Sequence, residues 1–385
     1  HLMSSLIDPS DFVDLDEHSS YLYTGANAPT LRTAHRAMAD AYALQSRGPA
    51  GREALLELER RTRGELAELA GTTVDRVGLA GDASTLWNSV ASGFTWAPGD
   101  NVILNDLEHP ALYYPFLAQR RHGLQTRFVQ HDEHWEVPVE RIMAACDEHT
   151  RAVAVSSVSY VNSYRHDLEA LARATRRAGI ALLIDWSHSF GVQPIDPDLG
   201  AIGVCASYKW LLGPYGVGIV ITNPDADLDS GQPGWRSTVN MFDQDRFDRL
   251  GWHRDAQRFQ LGAASFAAIA ALGAGVARIN RAGIDAVATH SRRLTQEATD
   301  RALAEGLTVL SPQDAERRGG SVVIACPDGE GLAQILAQQG ILAWGGDGRI
   351  RASYHAFNHE REVDAFVAAV RTAIPADWSP RPQVA

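Results

Sequence analysis

The sequence predicts an α/β protein: a mainly parallel, mixed sheet covered by helices, with a smaller α+β domain at the C-terminal end. Three observations carry that expectation. Short apolar runs alternate with amphipathic helical stretches from Arg76 to Thr222, the pattern left by crossover connections between parallel strands. Polar residues suited to chemistry recur just after those runs, where α/β sheets bind ligands. The 385 residues are enough for two cores. The expected division is an N-terminal segment at 1–30, a large domain at 31–258 and a small domain at 259–385.

Taken in order, residues 4–30 read as an extended lead-in ending in the turn residues Thr24-Gly25-Ala26-Asn27. Arg52 to Ala70 reads as a helix, with Leu55, Leu56, Leu58, Leu66 and Leu69 on one face and Gly71 as its C-cap. Strands are expected at Val77–Ala80, Asn101–Leu104, Ala152–Ser156, Ile180–Ile184, Gly203–Ala206 and Gly218–Thr222. Helices are expected between several of them, at Ser84–Phe94, Tyr113–His122, Glu140–Cys146 and Asp167–Ala178. Residues 223–258 have no clear period and read as a linker or site loop. Two long helices then lead to strands near Ser321–Ala325 and Ile350–Ser353 and a helix from Glu360 to Ala373.

Composition narrows the function classes. The net charge is −12 with both signs interspersed, so no nucleic-acid footprint and no polybasic membrane patch is expected. Three scattered cysteines, Cys146, Cys205 and Cys326, suit a reducing cytoplasm and lack metal-ligand spacing. No apolar run reaches the roughly 18 residues that a membrane helix needs. His1-Leu2-Met3 reads as a cloning remnant. Nucleotide-binding glycine loops, a serine nucleophile elbow and a His-Glu-x-x-His pair are all absent.

One residue stands out. Lys209 is the sole lysine of the chain; every other basic side chain with a fixed charge is arginine. It follows an apolar run, and an amine desolvated there becomes a nucleophile that arginine cannot replace. About two dozen residues earlier, Asp185 ends the strand-like run Ala181-Leu182-Leu183-Ile184. A lysine to hold pyridoxal 5'-phosphate (PLP) covalently, and a carboxylate to keep its pyridine nitrogen protonated, are the two groups such chemistry requires.

The stretches Leu183-Ile184-Asp185-Trp186-Ser187-His188 and Ser207-Tyr208-Lys209-Trp210-Leu211-Leu212-Gly213-Pro214 resemble the class V aminotransferase group of fold-type I PLP-dependent enzymes. That group includes kynureninases, isopenicillin N epimerases and cysteine desulfurases. The segment Ser157 to Leu168 resembles the kynureninase and epimerase branch more than the desulfurases. The resemblance implies that Lys209 forms the Schiff base and moves the Cα proton, that Asp185 pairs with the pyridine nitrogen, and that His188 approaches the phenolic oxygen. It further implies that His109 stacks on the ring and that Tyr160 lines the cofactor. Ala83 and Ser84 would form a phosphate cup with Tyr208, at a helix N-terminus that favours anions. Arg351, in Ile350-Arg351-Ala352-Ser353, would clamp the substrate α-carboxylate, with Asn27 beside it. A homodimer with sites at or near the subunit interface is also implied.

The reaction is less fixed. Desulfurases of this group need a mobile cysteine shortly before the arginine motif, and residues 341–349 hold none. The leading reading is therefore a C–S lyase, eliminating the β-substituent of a cysteine-derived amino acid, conjugates of secondary metabolism included. Aminotransferase and epimerase readings follow, and a non-catalytic binding protein comes last. Trp186, Trp210, Trp235, Trp344 and Tyr160 suit a roomy aromatic site for a bulky small-molecule substrate.

Overall fold

Apolar runs become strands here wherever helices cover both sheet faces. The computed structural model describes residues 5–15, 19–226 and 228–380; His1-Leu2-Met3 lies outside them. The chain opens with β1 (Ser20–Leu22), α1 (Arg32–Gln45) and α2 (Gly48–Ala70). Gly71 caps α2 in the left-handed conformation (φ 66°), as the sequence predicts. Then follow β2 (Val77–Ala80), α3 (Ala83–Gly93), β3 (Asn101–Asn105), α4 (Pro110–Ala118), β4 (Gln125–Val129), α5 (Val139–Ala144), β5 (Thr150–Ser156), α6 (Leu168–Ala178), β6 (Ala181–Asp185), β7 (Ile202–Ala206) and β8 (Gly218–Thr222). The C-terminal part holds α7 (Phe266–Ala282), α8 (Ile284–Ala304), β9 (Ser321–Ala325), α9 (Gly329–Gln338), β10 (Ile341–Gly346), β11 (Arg349–Ser353) and α10 (Glu360–Ala373).

The seven-stranded sheet runs β2-β8-β7-β6-β5-β3-β4, and β8 alone opposes the rest. This is the helix-covered α/β architecture that the alternating pattern predicts. Its middle strands are buried along their length, which explains why they read as continuous apolar runs rather than alternating ones. Fully burying one such Val, Leu or Ile side chain contributes about 1.5–3 kcal/mol. A second sheet, β1-β10-β11-β9, has its own core with Leu294, Phe366 and Tyr354.

Three strands carried no sequence signal. β4 is a half-exposed edge, so its pattern is weak. β10 ends in Gly345-Gly346, which reads as turn. β1 is three residues long and pairs in parallel with β10 from the far end of the chain. The small sheet thus draws on both termini. Conversely α7, beyond the expected division at 258, packs on α1 and α2, and its Ile269, Leu272 and Val276 join the large core. Among the described residues no helix is long and apolar enough to cross a membrane.

Candidate active site

Parallel strands bring their carboxyl ends to one edge of the sheet, and that geometry assembles the site. Asp82 to Ser84 follow β2, Glu108-His109 follow β3, Tyr160 follows β5, Asp185 to His188 leave β6, and Lys209 follows β7.

Lys209 is buried, and its Nζ lies 3.0 Å from Nε2 of His188. Burial first, and then the Arg351 guanidinium, push the amine down to about 8. Burial and the Lys209 charge likewise hold His188 well below the usual imidazole range. The amine therefore reaches its nucleophilic, unprotonated form about two pH units sooner than a free lysine, beside an imidazole whose protonation is disfavoured.

Asp185 is clamped from both sides. Its Oδ1 accepts from the Ser187 backbone N–H at 2.8 Å and its Oδ2 from the Trp87 indole at 3.1 Å. Each carboxylate oxygen has a further lone pair, so the clamp orients Asp185 without exhausting it. Trp87, fully buried on α3, is a candidate positioning residue that the sequence did not single out. The only signal was its place one helical turn after Ser84, on the inner face of the helix.

Asp82 caps α3, accepting from the Thr85 N–H at 2.7 Å and the Thr85 hydroxyl at 3.2 Å. The cap engages Thr85 and not the first residues of the helix, Ala83 and Ser84, of which Ser84 is exposed. Gly218 lets that loop sit on β8: a Cβ there would stand 2.4 Å from the Asp82 carbonyl carbon. Next to the loop, Tyr208 stacks on Tyr215 with centroids 4.4 Å apart.

His109 caps α4 through Nδ1 and stands edge-on to Tyr160, centroids 5.1 Å apart. Burial, then Lys209, lower its pKa. Beneath it, the buried Glu108 accepts from the backbone and hydroxyl of Ser156 and from the Asn105 amide. Burial raises its carboxyl to about 7. Glu108, which the sequence places with His109 after a strand, ties the end of β3 to that of β5.

The small sheet closes the site. Arg351 is buried and gives Nη1 to the Tyr160 carbonyl at 2.6 Å. Burial, then Arg349, lower it to about 10. Gly25 lies against it, where a Cβ would stand 2.6 Å from Ser353 Oγ and 3.4 Å from Arg351 Nε. Asn27 follows, its amide donating to the Tyr21 hydroxyl at 3.1 Å, and the Ala28 N–H reaches the Tyr208 carbonyl at 2.8 Å. Of the aromatics expected in the site, Trp186 and Trp210 are instead core residues, whereas Tyr160 and Trp344 flank Arg351.

A desolvated amine, a clamped carboxylate, a helix N-terminus and a buried guanidinium at one sheet edge suit a phosphorylated pyridine aldehyde and an amino acid: this is the site of a PLP-dependent enzyme. The Aminotransferase class-V family profile matches residues 21–366, and the chain belongs to that family, which uses PLP as cofactor. A probable cysteine desulfurase from Methanothermobacter thermautotrophicus is 25% identical over 373 residues, spanning 89% of this chain and 92% of that protein. The uncharacterized aminotransferase YcbU from Bacillus subtilis is 26% identical, over 85% of this chain and 87% of its own. Among solved structures, the complex of the cystine C-S lyase C-DES with its reaction product cysteine persulfide has a TM-score of 0.85 at 22% identity, covering 93% of this chain and 99% of that one. The apo cysteine desulfurase from Thermococcus onnurineus NA1 has a TM-score of 0.85 at 19% identity, covering 97% and 99%.

Proposed function

We propose that this enzyme is a C–S lyase that removes the β-substituent of a cysteine-derived amino acid. The observation that carries the reading concerns the thiols. All three cysteines have thiols pushed above their ordinary range, chiefly by burial: Cys326 to about 11, Cys205 well above it, and Cys146 upward as well. Residues 341–349 form β10, the following turn and the first residue of β11, and hold no cysteine. Such thiols are poor nucleophiles, so no side chain is suited to carry the sulfur away. The sulfur then leaves with the β-substituent. Relatives named as cysteine desulfurases, and the neighbour named a cystine C-S lyase, agree with a cysteine-derived substrate.

When bound, PLP supplies a protonated pyridine ring that accepts the electron pair released at the substrate Cα. Asp185 would pair its clamped carboxylate with the ring nitrogen. The α3 N-terminus with Ala83 and Ser84, together with Tyr208, would hold the phosphate, and His109 and Tyr160 would supply the aromatic contacts of the ring. Arg351 binds the α-carboxylate beside Gly25 and Asn27. Lys209, its neutral form held by His188, accepts the Cα proton; the Cβ–S bond then breaks and sulfur departs with the bonding pair as a thiolate. Hydrolysis of the remaining fragment gives pyruvate and ammonia.

The exposed Trp235, Val239, Phe242, Phe247 and Leu250 in residues 235–250 support a homodimer as part of this reading. The test is incubation of the purified enzyme with cysteine S-conjugates and no keto-acid acceptor. Pyruvate, ammonia and free thiol in equal amounts support the lyase. Turnover that demands an acceptor supports transamination instead, and deuterium wash-in with loss of chirality supports epimerisation.

A further inference from the structure

The face of the small sheet that covers the site carries a second guanidinium for which the elimination has no use. Side chains alternate along β11, so Arg349 and Arg351 project from one face while Ile350 and Ala352 enter the small core on the other. Trp344 stands opposite Arg351 in register, and Gly346 opposite Arg349. With no side chain at Gly346, the Trp344 indole spreads across it; a Cβ there would be 3.1 Å from Cη2 and Cζ2. Both guanidinium carbons lie 5.0 Å from the centroid of that one indole, and both arginines are buried.

Two like charges held this close and this dry repel each other, and the indole offsets part of that. The protein offers Arg349 little else. Its Nη2 is 3.3 Å from the carboxylate of Asp347, a side chain 76% exposed at the turn, and its Nη1 is 3.4 Å from the Asp347 carbonyl. The Nε atoms of Arg349 and Arg351 are buried without a hydrogen-bond partner among the described residues. Such donors are normally satisfied. The Tyr160 side chain feels both cations, which places the pair at the aromatic wall of the site.

We propose that Arg349 receives a second anionic group of the substrate. The enzyme would then take an amino acid whose side chain ends in a carboxylate, with the α-carboxylate on Arg351, the distal one on Arg349 and the Trp344 indole as the apolar floor between. The proposal rests on the lyase reading and on Arg351 as the α-carboxylate clamp.

The probes are S-carboxymethyl-L-cysteine and S-(2-carboxyethyl)-L-cysteine, each beside its neutral carboxamide. Holoenzyme is titrated with each, the absorbance band of the cofactor giving Kd and thiol release giving kcat/KM. At one chain length or both, the acid is expected to bind at least about tenfold tighter than its amide. Arg349→Gln should weaken the acid alone, Arg349→Lys should keep part of the preference, and Arg351→Gln should weaken acid and amide alike. Equal binding of acid and amide at both lengths, or a preference that survives in Arg349→Gln, overturns the proposal. A cofactor band that responds to none of the four overturns it together with the reading beneath it.

Discussion

Nζ of Lys209 and Nε2 of His188 are 3.0 Å apart and both are buried, so each residue disfavours charge on the other. Burial and Arg351 bring Lys209 to about 8. As the free amine captures the cofactor in its unprotonated form, the rate at which apoenzyme takes up PLP should rise with pH through about 8 and level off above it. An uptake rate that stays flat from about pH 6.5 to 9.5 would remove Lys209 as the capturing amine. Folding follows the same sign. The unfolded amine keeps its proton up to about 10.5 and the folded one loses it near 8, so the unfolded chain binds more protons in that window. Apoenzyme stability from this group therefore increases as pH rises from about 8 to 10.5.

Replacing Lys209 by methionine keeps the volume of the stem and removes the amine. Turnover should fall by about 1,000-fold or more, and borohydride should fix no cofactor on the peptide that contains position 209. Because a buried charge is also removed, the Lys209→Met apoenzyme at pH 7 should be more stable than the parent, on the order of 1–3 kcal/mol in urea unfolding. Retention of a borohydride-stable adduct would place the covalent attachment elsewhere.

The indole N–H of Trp87, on α3, reaches Asp185 at the end of β6. Trp87→Phe deletes that donor and leaves a buried carboxylate oxygen short of a partner. The expected cost is about 1–3 kcal/mol of stability. A fall in kcat of roughly tenfold, with cofactor still bound, should accompany it as Asp185 loses its orientation. Unchanged kcat with lowered stability alone would make Trp87 merely a core residue.

Gly25 leaves the room that Arg351 Nε and Ser353 Oγ occupy. Gly25→Ala should displace the Ser353 hydroxyl, 2.6 Å from the added Cβ, and disturb β11 beside Arg351, raising KM for the amino acid about tenfold or more while kcat falls less. Steady-state kinetics at saturating cofactor read the split. An effect on kcat alone would disconnect this loop from substrate binding.

Much of the fold was legible because each central strand of the large sheet, buried on both faces, had to be an apolar run. Lys209 and Asp185 were legible because their chemistry restricts the residue type. β10 was not, since Gly345-Gly346 mimics a turn, and their room-making role emerges only when the Trp344 indole lies across Gly346. Trp186 and Trp210 read as site aromatics but pack into the core, because indole size and polarity alone do not say which way a ring points.

By itself, then, the sequence determined the α/β class, the strand ends that bear polar residues and the candidate pair Lys209 and Asp185. All of these follow from local hydrophobic pattern and side-chain chemistry. Tertiary structure alone decided that Trp87 holds Asp185 across 98 positions, that β1 completes the C-terminal sheet and that Arg349 stands beside Arg351 around one indole. These relationships depend on strand register and helix rotation. Both are fixed by packing between segments far apart in the chain, and no local pattern encodes them.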